Sequence, residues 1–239
     1  MSILLNGDCL ELMKDLEDNS IDLIFCDLPY GQTSCKWDCP IDLDIFWIEV
    51  MRIKKLNAPI FMTTTTKFGV SLINSAPKKC PFRYDIVWIK SSPSGFLSAK
   101  KMPMRKHEMV YVFYEKLPFY DLSSHTHKFI DKENSVEVKK STYGTLQIKQ
   151  PITSGARWNP PLPTSMLEVK STKGKHSTEK PVALMEWVLK YYSKEGDTVL
   201  DPTMGSGSTG VACKNMNRNF IGFEKDPEIY EIAINRVEV

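Results

Sequence analysis

Asp27-Leu28-Pro29-Tyr30 sets a carboxylate, a backbone carbonyl, a chain-stiffening proline and an aromatic ring side by side. It ends a short apolar run, 21–26, that reads as a buried strand. Such groups suit a planar base with an exocyclic amino group. The carboxylate of Asp27 and the carbonyl of Leu28 can accept the amino hydrogens, and Tyr30 can stack on the ring. Those contacts would reduce delocalisation of the nitrogen lone pair and align it for in-line attack on a methyl group. Pro29 shapes the loop. This chemistry needs no covalent cysteine.

A second constellation lies far along the chain, at Asp201-Pro202-Thr203-Met204-Gly205-Ser206-Gly207-Ser208-Thr209-Gly210. It contains a GxGxxG pattern. Gly205 permits a tight turn, Gly207 brings backbone close to a nucleoside, and Gly210 packs at the start of a helix. Glu224 ends the next strand and can accept hydrogen bonds from ribose hydroxyls. These features alone fit NAD, FAD or S-adenosylmethionine. A phosphate-binding ATPase fits poorly, because the loop lacks a GK[ST] ending. An NAD dehydrogenase also fits poorly, because the fingerprint comes late and leaves room for one βαβ piece. Asp201 and the distant Asp27–Tyr30 motif favour S-adenosylmethionine.

Both constellations must be held by surrounding elements. Strands are expected at 3–5, 21–26, 58–64, 84–90, 108–114, 198–200 and 220–223. Helices are expected near 10–16, 42–55 and 67–76, from 178 onward, around 209–213 and at 227–235. Repeated strand–helix alternation implies an open, mostly parallel α/β sheet. A circularly permuted Rossmann-like order lets 198–200 lie beside 21–26, so that both loops leave the same sheet edge.

The charge is uneven. Residues 116–180 carry ten lysines and one arginine against six acids, a net +5 in a chain of net +2. Lys128, Lys132, Lys139, Lys140, Lys149 and Arg157 suit a phosphate-facing surface, extended by Lys170, Lys173, Lys175 and Lys180. Arg157 and Asn159 are candidates for base contacts. Gln32, Thr33, Ser34 and Trp37 follow the first motif and suit contacts to the opened site. Phe119 and Tyr120 suit either nucleic acid or core packing. The six cysteines are dispersed and expected to be free, and His125 and His127 are expected at the surface. No metal is expected. No long apolar run suggests a membrane, which points to the cytoplasm or nucleoid.

The motif order resembles the beta class of amino-methylating DNA methyltransferases, especially phage-type adenine N6-methyltransferases. The likeness runs through Asn6-Gly7-Asp8-Cys9, Asp27–Tyr30, Arg105-Lys106-His107-Glu108, Val112–Lys116 and His176–Pro181 to the terminal nucleotide-binding module. It implies a mixed sheet with a catalytic part at 1–115 and 176–239, and a basic target-recognition insertion at 116–175. It assigns Asp8, Cys9, Asp27, Asp201, Gly205, Gly207 and Glu224 to the S-adenosylmethionine pocket. Lys180 would contact the methionine carboxylate or organise its loop. The substrate would be an extruded adenine in double-stranded DNA, and a homodimer is the expected assembly. Asp27 at the head of the motif favours adenine; cytosine N4 is the alternative. Leu28 stands where the family has proline, keeping the carbonyl but freeing the loop. A noncatalytic DNA-binding protein would explain the basic stretch but not the paired pockets. Neither the target sequence nor a partner restriction enzyme is legible.

Overall fold

The computed structural model describes residues 1–31, 39–128, 157–170 and 179–238, without the side chains of Lys128 and Arg157. By chain contacts these fall into a larger unit, Met1–Asp121 with Ser165–Val239, and a smaller one, Leu122–Thr164.

The larger unit opens with β1 (Ser2–Asn6) and α1 (Cys9–Leu12), which runs into a 3-10 turn at Met13–Asp15. There follow β2 (Leu23–Cys26), α2 (Leu43–Ile53), β3 (Ile60–Thr64), α3 (Thr66–Ser75), β4 (Phe82–Ser94) and β5 (Arg105–Phe113). The smaller unit holds β6 (Thr126–Lys128) and β7 (Arg157–Asn159). The chain then returns with β8 (Met166–Glu168), α4 (Val182–Tyr192), β9 (Thr198–Asp201), α5 (Ser208–Asn215), β10 (Asn219–Glu224) and α6 (Pro227–Val237).

The main sheet has the order β1-β10-β9-β2-β3-β5-β4-β8. Strands β1, β10, β9, β2 and β3 run parallel, and β5 is antiparallel to both β3 and β4. Strand β8 lies parallel to β4, so 166–168 belongs to this sheet although it falls inside the basic stretch. The permuted order is present: β9 pairs with β2, with Leu23 opposite Val199 and Ile24 opposite Leu200.

Local chemistry explains the elements. All four residues of β2 are buried, as expected of a parallel strand covered on both faces. Asp42 caps α2 by accepting from the N–H groups of Asp44 and Ile45, and the helix buries Phe46, Trp47, Val50 and Ile53. Thr65 caps α3, and Asp226 caps α6 with Pro227 in its first turn. The expected helix at 10–16 is shorter and splits into α1 and the 3-10 turn. The helix expected from 178 starts at Val182, after Pro181. Each parallel strand delivers its carboxyl end to one edge: Asn6, Glu224, Asp201, Cys26 and Thr64.

In the smaller unit β6 and β7 pair antiparallel, Thr126 opposite Asn159 and Lys128 opposite Arg157. His125 is buried, not at the surface as expected, because its Nδ1–H donates to the Pro160 carbonyl at 2.9 Å. His127 instead packs on Trp158, ring centroids 4.8 Å apart. Among the described residues no group of histidine, cysteine and acidic side chains could hold a metal ion, and no helix is long and apolar enough to cross a membrane.

Candidate active site

The carboxyl edge of the parallel strands opens into a cavity of about 1130 Å³. Asp8, Cys9, Asp27, Leu28, Pro29, Tyr30, Lys180, Asp201, Gly205 and Glu224 all line it. Sequence positions far apart thus meet because β2 and β9 are neighbours.

Asp27 is fully engaged at one of its oxygens. Its Oδ1 accepts from the Tyr30 hydroxyl at 2.7 Å and from the Thr63 hydroxyl. Its Oδ2 accepts from Lys180 Nζ at 2.6 Å. A carboxylate oxygen offers about two lone-pair sites, so Oδ2 keeps one acceptor position open. Lys180 also lies 3.5 Å from Glu108 Oε2, and Glu108 Oε1 accepts from Lys90 Nζ at 3.0 Å. Burial disfavours the Lys180 ammonium, but the Asp27 and Glu108 carboxylates outweigh it and hold its pKa above the ordinary lysine value. Burial, reinforced by the Asp27 charge, pushes the Tyr30 hydroxyl well above its usual range, so it stays a neutral donor. The Tyr30 ring rests on Phe68, centroids 5.2 Å apart and tilted by 33°.

Leu28 buries its side chain in the main core. The freedom gained by having leucine in place of the family's proline is therefore restrained by burial, and the loop is anchored where the sequence suggested a looser one.

At the opposite wall Glu224 Oε2 accepts the Gly205 N–H at 3.1 Å and Oε1 accepts the Asp226 N–H at 2.8 Å. Each oxygen retains a lone pair for a hydroxyl. Burial pushes the Glu224 carboxyl up against these hydrogen bonds. Asp201 Oδ2 accepts from Thr209 Oγ1 at 2.5 Å, and Oδ1 accepts the Thr203 N–H at 3.1 Å. Complete burial pushes the Asp201 carboxyl up to about 7. Asp8 caps α1 through the Leu10 N–H and pairs with Lys225 at 2.9 Å, which holds its carboxyl below the usual range. Burial pushes the Cys9 thiol up to about 12, so it is a neutral wall group rather than a nucleophile.

The two glycines of the loop differ. Gly205 has φ 52° and open space where a Cβ would stand. Gly207 has φ 82° and faces α6, where a Cβ would meet Val237 Cγ2 at 2.9 Å; it does not line the cavity. Gly210 packs against Phe220 and Val237, as expected.

The wall fits a nucleoside donor. Thr203 lines the cavity, and its hydroxyl is buried without a hydrogen-bond partner among the described residues. A bound polar group would satisfy it. Glu224 offers acceptors for two hydroxyls, and Asp8, Cys9 and Gly205 leave room for the rest.

Sequence reasoning missed Thr63, Glu108 and Lys90. Glu108 did stand in a family-like motif, but only the fold shows it against Lys180. Phe119 and Tyr120 are both exposed, with the Tyr120 ring 5.1 Å from that of Tyr192 and Lys194 Nζ 4.7 Å from the Phe119 ring. Lys132, Lys139, Lys140, Lys149, Lys173, Lys175, Gln32, Thr33, Ser34 and Trp37 lie outside the described residues. Lys128 and Arg157 are placed by backbone alone, and Asn159 is exposed.

An eight-stranded, mostly parallel sheet with both motifs on one cavity at its carboxyl edge is the frame on which the class rests. Residues 21–235 match the model of the DNA methylase family (N6_N4_Mtase), and the chain belongs to that family. It is a DNA methyltransferase, and S-adenosylmethionine is the methyl donor of its family. The chain is 27% identical to Type II methyltransferase M.HinfI of Haemophilus influenzae, over 99% of this chain and 68% of that protein. It is 26% identical to Type II methyltransferase M2.MboI of Moraxella bovis, over 96% and 85%. The fold matches the M1.HpyAVI–SAM complex with a TM-score of 0.65 and 21% identity, over 99% of this chain and all of that one. It matches the cytosine-N4-specific PvuII DNA methyltransferase with a TM-score of 0.68 and 16% identity, over 98% and 86%.

Proposed function

We propose that this chain methylates the N6 amino group of an extruded adenine in double-stranded DNA. The observation that carries this reading is Asp27 and Glu224 on walls of one cavity, the first holding an open acceptor at Oδ2 and the second two hydroxyl acceptors. S-adenosylmethionine, when bound, supplies an electrophilic methyl on a sulfonium. Asp8, Asp201, Gly205 and Glu224 would hold it, with Cys9 and Thr203 as wall contacts.

The residues of the chain do the remaining work. Asp27 Oδ2 and the Leu28 carbonyl accept the two amino hydrogens and turn the nitrogen lone pair toward the methyl. As the N–C bond forms at the expense of the methyl–sulfur bond, leaving a neutral thioether, an amino proton must leave, and the Asp27 carboxylate would take it. Tyr30, fixed by its hydrogen bond to Asp27 and by Phe68, presents a ring face to the base. A paired base cannot reach this cavity, so extrusion precedes chemistry.

Adenine is favoured by aspartate at the head of the motif. The fold similarity to a cytosine-N4-specific enzyme keeps N4-cytosine as the second reading. The basic stretch 116–175, with Lys128, Lys132, Lys139, Lys140, Arg157 and Asn159, is the proposed target-recognition region. The proposed homodimer is checked by light scattering without DNA.

Tritiated S-adenosylmethionine with varied duplexes, followed by digestion and nucleoside mass analysis, tests the reaction. N6-methyladenine is expected, and Asp27→Ala should remove at least about 10²-fold of turnover while cofactor binding survives. N4-methylcytosine would overturn the base assignment, and transfer only to RNA or protein the substrate class.

A further inference from the structure

The turn between β4 and β5 leaves large apolar side chains in water. Phe96 is 80% exposed, Leu97 100% and Met102 60%. The turn is nevertheless built. Gly95 enters it with φ 91°, the left-handed region that glycine adopts without strain. The Ser98 N–H then donates to the Gly95 carbonyl at 3.0 Å, Ala99 to Phe96 at 3.0 Å and Lys101 to Ser98 at 2.9 Å. Backbone hydrogen bonds, rather than burial, hold the apolar groups outward.

The surrounding charge has one sign. Lys100, Lys101, Arg105 and Lys106 are exposed, and no acid occurs from Ser91 to His107. The roots of the same hairpin reach the active cavity, where Ser94 and Arg105 join Asp27 and Tyr30 in the wall. An apolar tip ringed by cations beside a base pocket matches a duplex whose stack must be opened. Extrusion costs a few kcal/mol of lost stacking and pairing, and an inserted apolar side chain recovers part of it.

We propose that this hairpin tip is a wedge that enters target duplex DNA. Leu97 and Phe96 fill the space left by the extruded base, and Lys100, Lys101 and Arg105 contact the flanking phosphates. This rests on the DNA-methylation reading above. A second copy of the chain or an anionic lipid surface is less favoured, since neither explains why the hairpin is continuous with the base pocket.

The test uses the whole protein and a duplex carrying 2-aminopurine at the target position, identified from the methylated product. Wild-type protein should raise its fluorescence as the base leaves the stack. The double variant Phe96→Ala/Leu97→Ala removes only exposed atoms and should fold. It should lose roughly five-fold or more of that rise and show roughly a ten-fold higher KM on paired duplex. A mismatch at the target lowers the extrusion cost, so turnover there should return to near wild type. Leu56→Ala, an exposed leucine elsewhere, should behave as wild type. Unchanged fluorescence and KM would overturn the wedge, as would equal losses on paired and mismatched duplex. A dimer turned monomer by the double variant with extrusion intact would make the tip a contact between copies. Loss of sedimentation with phosphatidylserine vesicles, again with extrusion intact, would make it a lipid surface. Wild-type protein that methylates no duplex would sink the DNA reading and the wedge together, whereas wild-type transfer beside an unaffected variant sinks the wedge alone.

Discussion

Lys180 Nζ lies 2.6 Å from Asp27 Oδ2, on the oxygen that keeps an open acceptor position. The ammonium therefore sits beside the proposed amino-group contact. Its second carboxylate, Glu108, prevents a lone Asp27–Lys180 pair and links both to Lys90. This arrangement differs from a lysine devoted to the methionine carboxylate, and the two roles separate kinetically.

Lys180→Met should lower kcat by about 10- to 100-fold while the cofactor Kd changes by less than about three-fold. It would also leave Asp27 and Glu108 facing one another, costing about 1–3 kcal/mol in urea unfolding, less than for a fully buried pair because Asp27 is partly exposed. A cofactor Kd that rises while kcat holds would return Lys180 to the methionine carboxylate.

Glu224→Ala should weaken S-adenosylmethionine binding by about 10- to 100-fold, the loss of charge-assisted acceptors for two hydroxyls. Glu224→Gln should fall between, since its amide nitrogen cannot accept a backbone N–H. Calorimetric titration reads both. Wild-type affinity in Glu224→Ala would remove this residue from the donor pocket.

Gly207→Ala and Gly205→Ala should part company. At Gly207 the left-handed φ and the approach of Val237 together predict about 2–4 kcal/mol of destabilisation. At Gly205 only the backbone conformation is strained, and about 1 kcal/mol is expected. Thermal unfolding compares them. Equal losses would contradict the packing of the loop on α6.

The Asp201 carboxyl makes cofactor-free stability depend on pH. Its folded pKa, about 7, exceeds the unfolded value of 3.8. Between these values the folded state binds the extra proton, so its stability falls as pH rises from about 4 to about 7. The slope approaches 1.4 kcal/mol per pH unit where only the folded state is protonated. Asp201→Asn should flatten this slope, because the amide keeps an oxygen for the Thr203 N–H and cannot ionise. Denaturant midpoints across that range, unchanged in slope between the two proteins, would refute it.

Most strands and helices were legible because the apolar runs and caps are local. The placement of β9 beside β2 was legible too, since a permuted order lets the two strands neighbour each other and brings Asp27 and Gly205 together at one edge. Burial of His125 was not, because the Pro160 carbonyl that satisfies it lies 35 residues away in sequence, just after β7. Gly207 was read as a nucleoside contact because a GxGxxG pattern does not reveal which neighbour forbids a side chain. The Lys90–Glu108–Lys180–Asp27 chain draws its members from four separated segments, and charge pairing at that range leaves no periodicity to read.

The pairing of β2 with β9 makes the sheet a ruler. Adjacent strands stand about 4.8 Å apart, a spacing set by backbone hydrogen bonds and by no side chain. The loop proposed to present the base and the loop proposed to hold the donor each leave one of these two strands. Their separation is therefore gauged by the ladder itself. Loops around the mouth can be exchanged to alter which duplex is admitted without recalibrating that gap. A single-residue deletion within Leu23–Cys26 would do the reverse, turning Asp27 to the other face while every loop stayed intact.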